Sequence, residues 1–139
     1  MHLLDTDTLT YLYAGHPRVE RNLRELDDEE VAITVITRIE MLRGRFDFML
    51  KAATGADLLR AQQLLARTED LLDQMPVVSI TEASAAEFDR LRNVKGLRKI
   101  GRADLLVASI ALAHRATLVT RNLRHFDQVP RLRVVNWIN

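Results

Sequence analysis

An open α/β fold, a parallel sheet with helices on both faces, is what this chain's amino-acid pattern predicts, on three observations. Short apolar runs at 2–4, 31–34, 77–80 and 117–120 alternate with longer stretches whose apolar residues recur at helical intervals. The segment Leu105 to Ala113 carries no charge, so it must be a helix buried on nearly all sides. No internal repeat, low-complexity stretch or linker interrupts the alternation. At 139 residues, 47% apolar and 28% charged, the chain is long enough for one core, and a single domain over 1–139 is expected.

The elements follow in order. His2-Leu3-Leu4 enters a strand at once, and a helix over 6–14 begins after Asp5. Pro17, a favoured first-turn residue, opens a second helix to Leu26, and an acidic turn runs from Asp27 to Glu30. The strand 31–34 leads into a helix through Gly44, for which Thr34 is a suitable N-cap. Leucines at 58, 59, 64, 65, 71 and 72 define one long amphipathic helix from Gly55 to Met75, closed by Pro76. A strand over 77–80 precedes a helix over 82–92, with Thr81 as cap and Glu82 complementing the helix dipole. Gly96 and Gly101 bracket a basic loop, followed by a helix over 103–115 and a strand over 117–120. The stretch 121–132 reads as irregular, and a last strand lies near Val134-Val135.

Composition excludes several classes. Without cysteine there is no disulfide framework, thiolate metal site or cysteine nucleophile, and a cytoplasmic setting is expected. No segment approaches the ~20 apolar residues that span a bilayer. The first strand is not followed by a glycine-rich phosphate loop, so a nucleotide cofactor lacks its main support. No serine stands beside a histidine motif, and none of His2, His16, His114 and His125 has metal-ligand spacing.

The net charge of +1 conceals a division: residues 1–89 hold 9 basic and 17 acidic side chains, whereas 90–139 hold 11 basic and 2 acidic. Arg90, Arg92, Lys95, Arg98, Lys99 and Arg102 fall together without an intervening acid. This run either steers a phosphate-bearing partner or is a solvated face that balances the acidic half at a subunit contact.

Three acids stand out because each lies in the turn or helix after an apolar, strand-like run: Asp5, Glu40 and Asp104. In a parallel sheet, ligands gather at the carboxyl ends of the strands, where these positions fall. Clustered carboxylates repel one another unless a cation sits between them, and Mg²⁺ or Mn²⁺ prefers oxygen ligands. Such a site suits phosphodiester hydrolysis by metal-activated water. Thr120, ending another strand, is placed to hold a neighbouring carboxylate in one rotamer. Each acid also has a plainer role: Asp5 as an N-cap, Glu40 as a solvated helix residue, Asp104 as a complement to a helix N-terminus. A receiver-type phosphoacceptor domain also gathers carboxylates at strand ends, but neither Val77-Val78-Ser79-Ile80 nor Thr117-Leu118-Val119-Thr120 is followed by the acceptor acid or lysine it needs.

Leu3-Leu4-Asp5-Thr6-Asp7, the Thr34 to Glu40 segment, Ile100 to Ala108, and Thr117 to Asn122 with His125-Phe126 together resemble a PIN domain, and more narrowly the VapC-type ribonuclease toxins. The resemblance covers essentially the whole chain. It implies a three-layer α/β/α sandwich with a central, mostly parallel sheet. It further implies a metal-dependent endoribonuclease acting on RNA, a homodimer that forms a hetero-oligomer with a VapB-type antitoxin, and no membrane association. Residue by residue, Asp5, Glu40 and Asp104 match the family's metal-binding acids, and Thr6 and Thr120 its supporting hydroxyls. Asn122 stands where many members have a fourth acid, which puts a second metal in doubt and leaves a non-catalytic PIN scaffold binding RNA or protein as the alternative. Asp127 and Asp7 are possible extra acids, and Arg98, Lys99, Arg102 and Arg121 are candidate RNA contacts.

Overall fold

A computed structural model of the chain describes residues 1–139 except Asp28, Glu29 and Arg98. Two of the four residues of the expected acidic turn and one candidate RNA contact, Arg98, therefore lie outside the described residues.

Five strands form one all-parallel sheet: β1 (His2–Leu4), β2 (Val31–Thr34), β3 (Val77–Val78), β4 (Thr117–Val119) and β5 (Arg133–Val135), in the spatial order β3-β2-β1-β4-β5. His2 pairs with Val31 on one side and Thr117 on the other, so β1 is central. The chain builds outward from β1 to β3, then returns to the far side of β1 for β4 and β5. Receiver-type domains place their strands in the order 2-1-3-4-5. The order here differs, which removes that reading.

Alternation along each strand divides the apolar residues between the two faces. Leu3, Ala32 and Leu118 point toward α5 (Glu82–Arg92) and α6 (Arg102–Ala113), packing with Leu91, Leu105, Ala108 and Ile110. Leu4, Ile33 and Val119 point the other way, onto Leu9 of α1 (Thr6–Tyr13), Val19 of α2 (Pro17–Glu25), Met41 of α3 (Val35–Leu50) and Leu72 of α4 (Gly55–Asp73). Three layers result. Burying each of the large side chains among these is worth about 1.5–3 kcal/mol. The uncharged stretch Leu105 to Ala113 is indeed central: Leu105, Val107, Ala108, Ser109, Ile110 and Ala111 are all buried.

Capping follows the sequence closely. Thr34 Oγ1 accepts from the Thr37 amide at 3.2 Å, and Thr81 and Ser84 exchange reciprocal bonds in a capping box. Three expectations change. α3 does not stop at Gly44 but continues to Leu50, because packing against α4 outweighs the roughly 1 kcal/mol cost of a helical glycine; Arg45 Nε donates to Thr68 Oγ1 at 2.9 Å and Arg38 meets Asp73 at 3.3 Å. The strand expected over 77–80 pairs only at Val77 and Val78, since its neighbour β2 turns into α3 immediately after Thr34. Within 121–132 a short helix, α7 (Leu123–Phe126), anchors Phe126 in the core. Among the described residues, no helix is long and apolar enough to cross a membrane.

Candidate active site

The reversal of strand order at β1 and β4 opens a crevice at the carboxyl end of the sheet, where parallel α/β folds bind ligands. A basin of about 240 Å³ lies there. Among the described residues, four carboxylates line it, from Asp5, Asp7, Glu40 and Asp104, together with Thr6 and Asn122. Thr37, Val107 and Phe126 complete its wall.

Asp5 follows β1 directly. Its N–H donates to the Val119 carbonyl at 3.0 Å, tying the end of β1 to the end of β4, and the Thr8 hydroxyl donates to that same carbonyl at 3.1 Å. One Asp5 carboxylate oxygen, Oδ1, accepts the Thr8 amide at 2.9 Å and caps α1. The plain capping role and the site role therefore coexist in one side chain. Burial pushes the Asp5 carboxyl above the ordinary value of 3.8, against the lowering pull of hydrogen bonds from Thr120 and Thr8, and the charge of Asp7 raises it further. Thr120 is fully buried and also accepts the Asn122 amide at 3.0 Å, so its hydroxyl links Asp5 to the turn that presents Asn122.

Glu40 projects from α3 and accepts a hydrogen bond from Thr6 Oγ1 at 2.9 Å, which joins α1 to α3 across the basin. Asp104 lies in the first turn of α6, where the helix dipole favours an anion. Its Oδ2 is 3.0 Å from His125 Nε2, but off the line of the ring N–H, leaving Nε2 without an aligned hydrogen-bond partner. The His125 ring also meets Phe126 edge-on at 5.2 Å. The histidine thus packs on Phe126 and, from α7, also meets Asp104 of α6.

The remaining candidates divide. Asp7 is exposed at the rim and lines the basin, whereas Asp127 caps the end of α7, faces solvent and is not part of the lining. Arg121 is exposed and held against α1, donating to Tyr11 Oη at 3.0 Å with its guanidinium 5.8 Å above that ring. Arg102 lies 5.3 Å above the Phe88 ring, and Lys99 is exposed. Neither lines the basin itself.

The donor set is entirely oxygen, which suits a hard divalent cation. The cost of ionising half-buried Asp5 is one that an adjacent cation offsets. By these criteria the residues fit Mg²⁺ or Mn²⁺. Yet among the described residues no three His, Asp or Glu side chains stand close enough to hold a metal ion. Glu40 is turned to Thr6 and Asp104 to His125, so the expected cage of Asp5, Glu40 and Asp104 takes the form of a shared basin with each acid on a protein partner.

Comparison with known proteins agrees with this architecture. The PIN domain family model matches residues 2–132. Ribonuclease VapC2 of Rickettsia felis is 30% identical, with the alignment covering 99% of this chain and 98% of the relative. The tRNA(fMet)-specific endonuclease VapC of Salmonella typhimurium is 25% identical over 97% of this chain and 96% of its own length. Among solved structures, VapBC-1 from nontypeable Haemophilus influenzae superposes with a TM-score of 0.81 at 24% identity, covering 99% of this chain and 98% of that one. VapBC2 from Rickettsia felis, bound to a DNA fragment from its promoter, gives 0.75 at 27% identity, with 98% of both chains covered. The family match thus spans nearly the whole chain, which belongs to the PIN-domain family, in its VapC ribonuclease branch.

Proposed function

We propose that this chain is a metal-dependent endoribonuclease, the toxin of a VapBC-type toxin–antitoxin pair. The observation that carries this reading is the convergence of Asp5, Asp7, Glu40 and Asp104, from three separate segments, on one basin at the β1–β4 crevice. Asp5, Glu40 and Asp104 would hold Mg²⁺ or Mn²⁺. When bound, such an ion supplies the positive charge that makes water a better nucleophile and stabilises the phosphodiester transition state and its departing oxygen.

The chain's own residues prepare that chemistry. Thr6 holds the Glu40 carboxylate at the basin, and Thr120 does the same for Asp5. Asn122 offers a neutral amide that can orient a water or a phosphate oxygen. Arg121, pinned by Tyr11 and next in sequence to Asn122, and Arg102, resting on Phe88 two residues before Asp104, would present charge to the RNA backbone, with exposed Lys99 three residues before Arg102. Pre-positioned guanidiniums lose little freedom on meeting a phosphate.

The proposed partners have surfaces available. The apolar side chains left exposed are concentrated where α3 ends and α4 begins, at Phe46, Phe48, Leu50, Leu58 and Leu59. α4 packs on α3 here, so both helices contribute to this apolar surface. An apolar segment of an antitoxin, or a second copy of the chain in a homodimer, would cover it.

Single-stranded RNA incubated with the protein and Mg²⁺ or Mn²⁺ is expected to be cut, and Asp104→Asn is expected not to cut it. Equal cleavage by both proteins removes Asp104 from the mechanism. The neutral Asn122 and the separation of the acids favour a second reading, a PIN scaffold that binds RNA without cutting it. Binding without metal-stimulated turnover in the unmodified protein would establish that alternative.

A further inference from the structure

At the opposite end of the sheet, where β4 and β5 begin, lies a cavity of about 190 Å³ lined by Ala111, Leu112, Ala116 and three arginines, Arg115, Arg131 and Arg133. No acid lines it. Arg131 reaches Glu87 at 3.3 Å, but that carboxylate is shared with Arg90 at 2.7 Å. Arg133 donates to the Arg115 carbonyl, which fixes two of the three cationic residues relative to each other. Among the described residues, neither Arg115 nor Arg133 has an acidic partner.

The backbone beneath two of these side chains is unusual. Arg115 (φ 52°) and Arg131 (φ 67°) are the two non-glycine residues with positive φ among those described. Arg115 ends α6 in a Schellman motif: its own N–H donates to the Leu112 carbonyl at 3.1 Å, and the Ala116 N–H to the Ala111 carbonyl at 2.9 Å. Arg131 follows Pro130 in a turn closed from Leu132 N–H to the Val129 carbonyl at 3.4 Å, where the third position takes positive φ. Glycine or asparagine is the unstrained occupant of both places. Both hold arginine, and both arginines line the same cavity.

We infer that this pocket is a second phosphate-binding site, which takes a phosphodiester of the RNA chain outside the acid-lined basin. The inference rests on the nuclease reading, because it is RNA that would span both ends of the sheet. Planar guanidiniums match phosphate oxygens bidentately, and three of them facing one cavity without a lining acid favour an oxyanion. α6, with 12 residues, carries Asp104 near one end and leads into Arg115 at the other, a distance of about 16 Å. α6 itself is buried, so RNA reaching this pocket would cross the surface of the layer that covers α6, leaving the acids at the basin for cations at the far edge.

The test is the double variant Arg115→Asn/Arg131→Asn, in which asparagine tolerates both left-handed positions. Its thermal midpoint should equal or exceed that of the unmodified protein, which establishes folding. Binding of labelled single-stranded RNA, measured in EDTA so that no turnover enters, should weaken about tenfold, and the slope of log affinity against log salt should shrink by about 0.7 for each phosphate no longer neutralised. Unchanged affinity and slope would overturn the proposal. Inorganic phosphate and a polyglutamate peptide serve as comparison ligands. If either protects the unmodified protein against heat and not the variant, while RNA affinity is the same in both, the RNA assignment is overturned. An inactive Asp104 site leaves this binding result untouched, so the failure of either reading is visible without the other.

Discussion

The two ends of the sheet carry opposite charge on the same strands and the same helix. At the carboxyl end Asp5 caps α1 and Asp104 sits in the first turn of α6, where unpaired amides favour anions; at the amino end Arg115 follows the last turn of α6, where unpaired carbonyls favour cations. Because every strand is parallel, the helix termini of each kind collect at one edge. Part of this polarity is therefore the ordinary electrostatics of a parallel α/β fold. The excess is informative: helix ends do not require Asp5 to ionise against burial, nor arginine to occupy two left-handed turns. At both edges the chain accepts a local cost where the proposed ligand would compensate it.

The largest effect that would sharpen this contrast is on cleavage. Asp5→Asn and Asp104→Asn should each lower single-turnover cleavage of RNA by on the order of 10²–10³, the scale of losing one electrostatic partner of a transition state. A loss below tenfold in both would reduce the acidic edge to helix capping. Thr6→Val comes next: without the hydroxyl that fixes Glu40, activity or metal affinity should fall roughly 10- to 100-fold, with Thr6→Ser restoring most of it. If Val and Ser behave alike, the hydrogen bond does not position Glu40.

Stability should move in the other direction. Burial raises the folded-state pKa of Asp5 above the ordinary value of 3.8, so at higher pH its ionisation opposes folding, and the opposition fades as pH falls toward 3.8. Asp5→Asn in EDTA should accordingly have a higher thermal midpoint than the unmodified protein at pH 7, with the gap closing as the solution is acidified. A midpoint that is lower at pH 7 and insensitive to pH would show that capping dominates. Smallest, and remote from both edges, is Gly44→Ala. A Cβ there meets nothing within 4 Å, so the midpoint should rise by up to ~1 kcal/mol equivalent, with RNA cleavage unaltered.

Much of the fold could be read directly from the chain because β1, β2 and β4 are short apolar runs and α6 is uncharged over its buried length. Asp5 was identifiable for the same reason, since it directly follows β1; Glu40 lies well inside α3, and Asp104 follows α5 rather than a strand, so for these two the strand-end argument does not hold and the family resemblance singled them out. What escaped depends on tertiary context. Gly44 marks a helix end by propensity, but packing on α4, with Arg45 bonded to Thr68, carries α3 past it. Asp7 and Asp127 are equivalent as residue types, and only the placement of α1 and α7 puts the first at the basin rim and the second outside the lining. The contact of His125 with Asp104 has no periodic signature, as it joins two helices across a turn. The arginine pocket was equally hidden, because positive φ at Arg115 and Arg131 contradicts residue preference. Pro130 before Arg131 was the single local sign of that turn.

Manganese titration followed by calorimetry measures the central claim without reference to turnover. The unmodified protein is expected to bind Mn²⁺ with measurable heat, and Asp5→Asn, Glu40→Gln and Asp104→Asn should each weaken that binding by at least about tenfold. Absence of binding to the unmodified protein, or the same affinity in all four proteins, would contradict the assignment of these carboxylates to one cation.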